Sequence, residues 1–153
     1  MKSIILITSM LLSLSSCGGD DDFKTTSITF TEIGKGSLGP PFLNNGNSVN
    51  RVIDNLDEWR NLISTIDYDP LIRYMINFNE IDIDFSKSQI IVVFDNEEMP
   101  PSTTDIKTVT EYENEIIVTY AAIGSTALVA HHGQSFHIVK IPRSKKIIKF
   151  QEV

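Results

Sequence analysis

The stretch that most constrains the fold is residues 89–94, in which five apolar residues follow a glutamine without interruption (Ile-Ile-Val-Val-Phe). Most of these residues are β-branched, which favours a strand. A strand with one face in water alternates polar and apolar residues, whereas a strand buried on both faces reads as a continuous apolar run. The run therefore predicts a central strand that is covered on both faces.

A helix is predicted after Asp54. Asn55 is a good N-cap, and Glu58 stands where a capping box would place the residue that bonds back. Apolar residues then follow helical spacing in one stripe, which contains the only tryptophan: Ile53, Leu56, Trp59, Ile63 and Ile66. The pattern predicts one main helix over about residues 55–66, in which Trp59 packs the helix onto a sheet; the alternative is that Trp59 stacks on a ligand.

Strands make up most of the remaining pattern. Segments rich in β-branched residues predict strands over residues 27–33, 105–112, 116–122, 134–141 and 146–152. Asn114 lies where a hairpin turn is expected, and the short connection over residues 142–145 favours antiparallel neighbours. Residues 34–50 are rich in Gly, Pro and Asn and predict a long loop. The predicted fold is α+β and β-rich, a mostly antiparallel sheet with one main helix packed on it.

The N-terminus has the three parts of a secretory signal peptide. Lys2 supplies a positive start, residues 4–14 are mostly apolar, and small residues lead to Cys17, the only cysteine of the chain. The apolar stretch is too short to span a bilayer, for which about 20 residues are needed. Residues 14–17 resemble the lipobox of bacterial lipoproteins, which implies that residues 1–16 are removed and that Cys17 carries acyl chains.

Residues 17–26 are predicted to form a lipidated, acidic tether. Within it, Asp20, Asp21 and Asp22 resemble the surface-export signal of Bacteroidetes lipoproteins. That resemblance implies a lipid-anchored outer-membrane protein displayed at the cell surface; the alternative is a simple spacer at the periplasmic face. Residues 27–153 are then predicted to form a single globular domain.

Charge and cysteine content exclude several classes of partner. The chain has 13 Lys and Arg against 20 Asp and Glu, for a net charge of −7. Nucleic acid is not an expected partner, because phosphate binding needs a basic face. Anionic lipid headgroups are not expected to attract the domain either, so membrane attachment would depend on the lipid of Cys17. With that cysteine acylated, no disulfide can form and the apolar core must suffice.

Catalytic and metal-binding patterns are weak. His131, His132 and His137 could ligate a metal, but adjacent residues of an extended chain point in opposite directions, so only one of the pair could readily join His137. Acidic residues between positions 67 and 84 lack the spacing of a calcium loop. The chain also contains no nucleophile elbow and no phosphate-cradling glycine motif. We therefore predict no catalytic residue, no metal site and no cofactor, and a protein that is not an enzyme.

Several segments, in this order, resemble the bacterial PrcB family, which is named after a subunit of a protease complex and is common among small lipoproteins of Bacteroidetes. The match rests on the order and spacing of residues 30–36, 57–63, 83–86, 90–95 and 134–142. The resemblance implies an accessory or binding role without catalytic residues. The chain departs from the family at Pro100 and Pro101, where prolines replace a permissive glycine turn, and at Ser135, where the family has proline.

The sequence thus favours a membrane-anchored lipoprotein that acts as a non-catalytic accessory or binding subunit of an envelope or cell-surface protein complex, in keeping with a protease-associated family. Its expected partners are the membrane, through Cys17, and an envelope protein. The alternative is a surface lipoprotein that binds a glycan or small ligand, with Phe42 and Tyr74 as its platform.

Overall fold

Strands form most of the regular structure. A computed structural model describes residues 24–38, 50–67, 78–95, 103–124 and 133–153, and within these residues it contains eight strands and one α-helix. In chain order the elements are β1 (Thr26–Ser27), β2 (Thr31–Leu38), β3 (Arg51–Ile53), α1 (Leu56–Asp67), β4 (Ser88–Phe94), β5 (Thr103–Glu111), β6 (Glu115–Ile123), β7 (Gln134–Pro142) and β8 (Ile147–Glu152).

The described strands divide into two four-stranded sheets, which we call sheet I and sheet II. Sheet I has the order β2-β7-β4-β3 and is antiparallel throughout. Sheet II has the order β1-β5-β6-β8, and only its β6–β8 pair is parallel. The sheets pack face to face, and α1 covers the other face of sheet I. The predicted β-rich α+β fold is confirmed, although its strands form two sheets instead of one.

Strand β4 lies in the middle of these three layers. Ile90, Val92 and Phe94 belong to the apolar core beneath α1. Their neighbours Ile91 and Val93 belong to the core between the two sheets. Because side chains alternate along a strand, one face of β4 meets the helix and the other meets sheet II. The prediction of a central strand covered on both faces is confirmed.

Helix α1 begins and packs as the sequence indicates. The Oδ1 of Asn55 accepts a hydrogen bond from the backbone N–H of Glu58 at 2.9 Å, which is an N-cap. Trp59 is buried, and its Nε1–H donates to the carbonyl oxygen of Ile81 at 2.8 Å. The buried stripe differs in part from the prediction, since Ile53 lies in β3 and not in the helix, Leu62 is buried and Leu56 is exposed. The helix still presents one apolar face to sheet I, with Trp59 at its centre.

Strand β2 starts later and runs further than predicted. The segment predicted as one strand over residues 27–33 contributes β1, which pairs with β5, and the first part of β2, which pairs with β7. The loop predicted over residues 34–50 is wrong for residues 34–38, which lie in β2. A Cβ on Gly34 would lie 2.9 Å from Cδ1 of Phe78, so this glycine admits the Phe78 ring against the strand. The glycine therefore reflects close packing here and not a loop.

The connection over residues 142–145 does not join antiparallel neighbours, contrary to the prediction. Both edges of β7 are already occupied, by β2 on one side and β4 on the other, so β8 has no place beside it in sheet I. The backbone N–H of Arg143 donates to the carbonyl oxygen of Lys87 at 2.8 Å. The chain then crosses to sheet II, where β8 pairs in parallel with β6.

The β5–β6 hairpin forms as expected, with the N–H of Tyr112 bonded to the carbonyl oxygen of Glu115 at 2.8 Å. Among the residues that the structure describes, no helix is both long and apolar enough to cross a bilayer. The predicted signal peptide and several residues singled out in the sequence lie outside the described residues: Cys17, Asp20, Asp21, Asp22, Phe42, Tyr74, Pro100, Pro101, His131 and His132.

Candidate functional site

An open cleft lies where the edges of the two sheets meet. Strand β3 is an edge of sheet I and β8 is an edge of sheet II in the described part of the chain. Val52 of β3 and Ile148 of β8 line the cleft from opposite sides, and its volume is about 610 Å³. Both side chains are only partly buried, because they close the core between the sheets at its open margin. We call this feature the β3–β8 cleft.

The cleft has a buried polar group in its lining. Gln89, the second residue of β4, is 3% exposed and lines the β3–β8 cleft. Among the described residues its Nε2 has no hydrogen-bond partner. A buried amide donor without a partner costs about 1–3 kcal/mol of stability unless water or another group bonds to it. Gln89 therefore offers the cleft a hydrogen-bond donor that a polar ligand group can accept from.

Basic side chains close one end of the cleft. Arg143, Lys145 and Lys146 line it from the connection between β7 and β8. The guanidinium of Arg143 is held by the carbonyl oxygens of Phe85 and Asp54. The ammonium of Lys146 lies 3.0 Å from Oε1 of Glu111 and donates to the Tyr112 carbonyl at 2.6 Å. The connection is thus a fixed basic rim.

Acidic side chains offset part of this charge. Asp54 and Glu58 also line the cleft, and Oδ2 of Asp54 lies 3.4 Å from Nη2 of Arg143. Lys145 has no ion pair among the described residues and is exposed. Among the described residues, the cleft therefore presents one ammonium without an ion pair and one amide donor without a partner, beside the carboxylates of Asp54 and Glu58 and partly apolar walls. Lys145 and Gln89 together suit an acidic group carried on an apolar chain.

A second polar cluster lies between the sheets at their other end, and we call it the polar seam. It joins β7 to β5 through the hydrogen-bonded hydroxyls of Ser135 and Thr104, and through Nδ1 of His137, which accepts from the backbone N–H of Ile106 at 2.9 Å. Lys35 of β2 adds an ion pair to Oδ1 of Asp105 at 2.9 Å. These contacts tie the sheets together through polar atoms.

His137 is held in its neutral form. It is 2% exposed, and since its Nδ1 accepts a hydrogen bond, the ring proton lies on Nε2. Nε2 is 3.1 Å from Oε2 of Glu32, although this contact departs from hydrogen-bond geometry. Burial, and secondarily the nearby Lys35 charge, lowers the pKa of His137 from 6.5, against the opposing effect of Glu32 and Asp105. The neutral His137 ring therefore links the two sheets, and protonation of Nδ1 would break this link.

Asp105 is the charged centre of the polar seam. Hydrogen bonds from Lys107, and next from Lys35, lower its pKa to about 2, despite partial burial. Its Oδ1 also lies 3.5 Å from Nδ1 of His137. Within the described ranges, no three His, Cys, Asp or Glu side chains converge as metal ligands would. His131 and His132 fall outside those ranges, so the three-histidine alternative stays a hypothesis.

Sequence reasoning did not single out the cleft residues, although one signal was present. Residues 143–149 read Arg-Ser-Lys-Lys-Ile-Ile-Lys, four bases in seven residues within an otherwise acidic chain. Gln89 stood at the start of the apolar run that was used to predict β4. Its role could not be predicted because only the packing of sheet I on sheet II places the first residues of β4 near β8 and the β7–β8 connection.

In comparisons with known proteins, the chain matches no protein-family model, and neither a curated protein nor a solved structure is significantly similar to it. The resemblance to the PrcB family therefore rests on the sequence segments described above and stays a prediction.

Proposed function

We propose that this protein is a lipid-anchored, non-catalytic binding subunit of an envelope protein complex, attached to the outer membrane through Cys17 and displayed at the cell surface. The observation that carries the proposal is the β3–β8 cleft, with its basic rim and the Gln89 amide, which has no donor contact among the described residues. The lipobox at Cys17, the acidic tether and the resemblance to a protease-associated family support it from the sequence.

The position of the cleft relative to the tether suits such a role. The tether enters the domain at β1, on one edge of sheet II, whereas β8 and the cleft are on the opposite edge. Strands are about 4.8 Å apart, so three spacings, about 14 Å, separate the two edges. A partner could therefore occupy the cleft without meeting the attachment point.

The test is recovery of a partner from the native membrane. We expect chemical crosslinking in intact cells, followed by affinity purification, to recover one envelope protein in constant ratio to this chain. In a Cys17→Ser variant, labelled palmitate should not be incorporated, and the partner should be lost because the protein leaves the membrane. Recovery of the chain alone under several growth conditions would contradict the proposal.

Binding of a small ligand or glycan is the second candidate. The volume of the cleft, about 610 Å³, is within the range of small-molecule sites. Saturable binding of a purified envelope glycan to the isolated lipoprotein, without any protein partner, would favour this candidate over the first.

A further inference from the structure

The free edge of β8 adjoins the cleft, and its side chains are divided between two faces. Ile148 and Phe150 face the core between the sheets and are partly buried, whereas Ile147 and Lys149 are exposed on the outer face. In the described part of the chain β8 pairs only with β6. A six-residue edge strand with no proline can pair with a further strand.

Resting on the proposed function, we propose that the partner inserts an acidic, extended segment that pairs with the free edge of β8 and places a carboxylate between Lys145 and Gln89. A strand added beside β8 would lie over the open margin between β8 and β3. Its inward side chains would cover Val52 and Ile148, and its backbone would form hydrogen bonds with the N–H and C=O groups at the free edge of β8.

The charge of the β7–β8 connection favours an acidic segment as the occupant of the cleft. The chain as a whole has a net charge of −7, yet residues 143–149 contain four bases and no acid. Lys149 is paired with Glu115 and Arg143 with Asp54, but Lys145 is not paired among the described residues. An acidic segment gains an ion pair at Lys145 and a hydrogen bond from Nε2 of Gln89. A basic segment would meet repulsion at the same place.

Substitution of Gln89 distinguishes a binding role from a structural role. Replacement of a buried, unpartnered donor by an apolar side chain of similar size is nearly neutral or stabilising. Gln89→Leu should therefore keep or raise the melting temperature of the protein while it weakens binding. A residue with only a structural role would not separate these two effects.

The experiment measures binding of a synthetic peptide to the lipidated protein in detergent micelles. The probe is a fluorescent ten-residue peptide of alternating glutamate and valine with one photoreactive residue, and the control peptide has glutamine in place of glutamate. We expect anisotropy to show salt-sensitive binding of the acidic peptide only, and photocrosslinks to map to β8 and β3. Lys145→Glu should weaken binding about tenfold or more, whereas Lys24→Glu, the same charge change beside β1, should alter it by less than about twofold.

Three results would overturn the proposal: equal binding of the two peptides, crosslinks away from β3 and β8, or unchanged affinity in both Lys145→Glu and Gln89→Leu. Dimerisation of the protein, seen by sedimentation and with photocrosslinks between the β8 strands of two copies, would also overturn it, in favour of a second copy as the occupant. If the peptide fails but cell crosslinking still recovers an envelope protein, this inference falls while the proposed function stands.

Discussion

His137, in β7 of sheet I, connects the two sheets through the Nδ1 atom of its ring. Nδ1 accepts from the backbone of β5 in sheet II, and Nε2 faces Glu32 on β2 in sheet I. Protonation of Nδ1 would turn the acceptor into a donor that points at the Ile106 N–H. The bond between the sheets would then be lost, so the state of one buried ring affects how the sheets are held together.

We predict that the free energy of unfolding falls as the pH drops below about 6.5, the ordinary pKa of histidine. Because burial lowers the pKa of His137 in the folded state, the unfolded chain binds a proton more readily. Its stabilising contribution is thus complete above the unfolded pKa and declines as the pH falls towards the folded pKa. Urea unfolding between pH 8 and pH 5 measures this slope.

His137→Gln is the control for that prediction, since its amide oxygen can still accept from Ile106 but does not titrate. The variant should show a shallower slope over the same pH range. Identical slopes in the two proteins would exclude His137 as the acid-sensitive group. His137→Leu, which leaves the Ile106 N–H without its partner, should cost about 1–3 kcal/mol at pH 8.

At the scale of elements, β4 organises the domain because it contributes to both apolar cores. Its alternate residues meet α1 on one face and sheet II on the other, and Ile90 to Val93 have no exposed surface. In an amphipathic strand only every second position is sensitive to substitution. In β4, consecutive positions are all buried, so each should be sensitive to substitution, as the unbroken apolar run in the sequence indicates.

We predict that Ile90→Ala and Ile91→Ala, adjacent in sequence and on opposite faces of β4, each lower the free energy of unfolding by about 2–5 kcal/mol. Each removes a buried side chain and leaves a cavity in a different core. Ile147→Ala in β8 is the matched control, because Ile147 is 68% exposed, and it should change stability by less than about 0.5 kcal/mol. Chemical denaturation of the three variants measures these changes in the free energy of unfolding. If Ile90→Ala or Ile91→Ala left the free energy of unfolding unchanged, the corresponding face of β4 would not be a core face.

At the scale of the whole molecule, β1 and the β3–β8 cleft lie at opposite edges of sheet II. The N-terminal tether leads into β1, and β8 is the last strand at the other edge. The proposal of surface display therefore places the basic rim away from the anchor, towards partners. Under the proposed attachment to the outer membrane, Asp20, Asp21 and Asp22 would decide which face the domain occupies if they act as the export signal that they resemble.

We predict that replacing Asp20, Asp21 and Asp22 together with alanine keeps the protein lipidated and in the outer membrane but moves it from the cell surface to the periplasmic face. Protease added to intact cells should degrade the wild-type protein and spare the variant. A matched change of Asp82 and Asp84 to alanine, within the domain, should leave the protein accessible. Equal degradation of the wild-type protein and the tether variant would contradict a role in export.

Much of the fold could be predicted because it depends on local pattern. The N-cap at Asn55, the buried Trp59 and the β5–β6 hairpin each depend on residues close together in the chain. The β7–β8 prediction was wrong because connection length was the only local guide. The actual pairing depends on which strand edges are already paired: β2 and β4 flank β7, whereas β5 flanks β6 on one side only and leaves its other edge to β8.

The sequence by itself predicted strands β4 to β8, the burial of β4 on both faces and one apolar stripe on α1, because the period of apolar residues follows which faces are buried. It missed β3 and the second half of β2. Only the tertiary structure decided that the strands form two sheets, that His137 links them, and that Gln89, Arg143 and Lys145 meet in one cleft. Those residues are far apart in the chain, and no local period encodes their contact. They meet because two layers pack across a common core and bring the edges of both sheets to the same side.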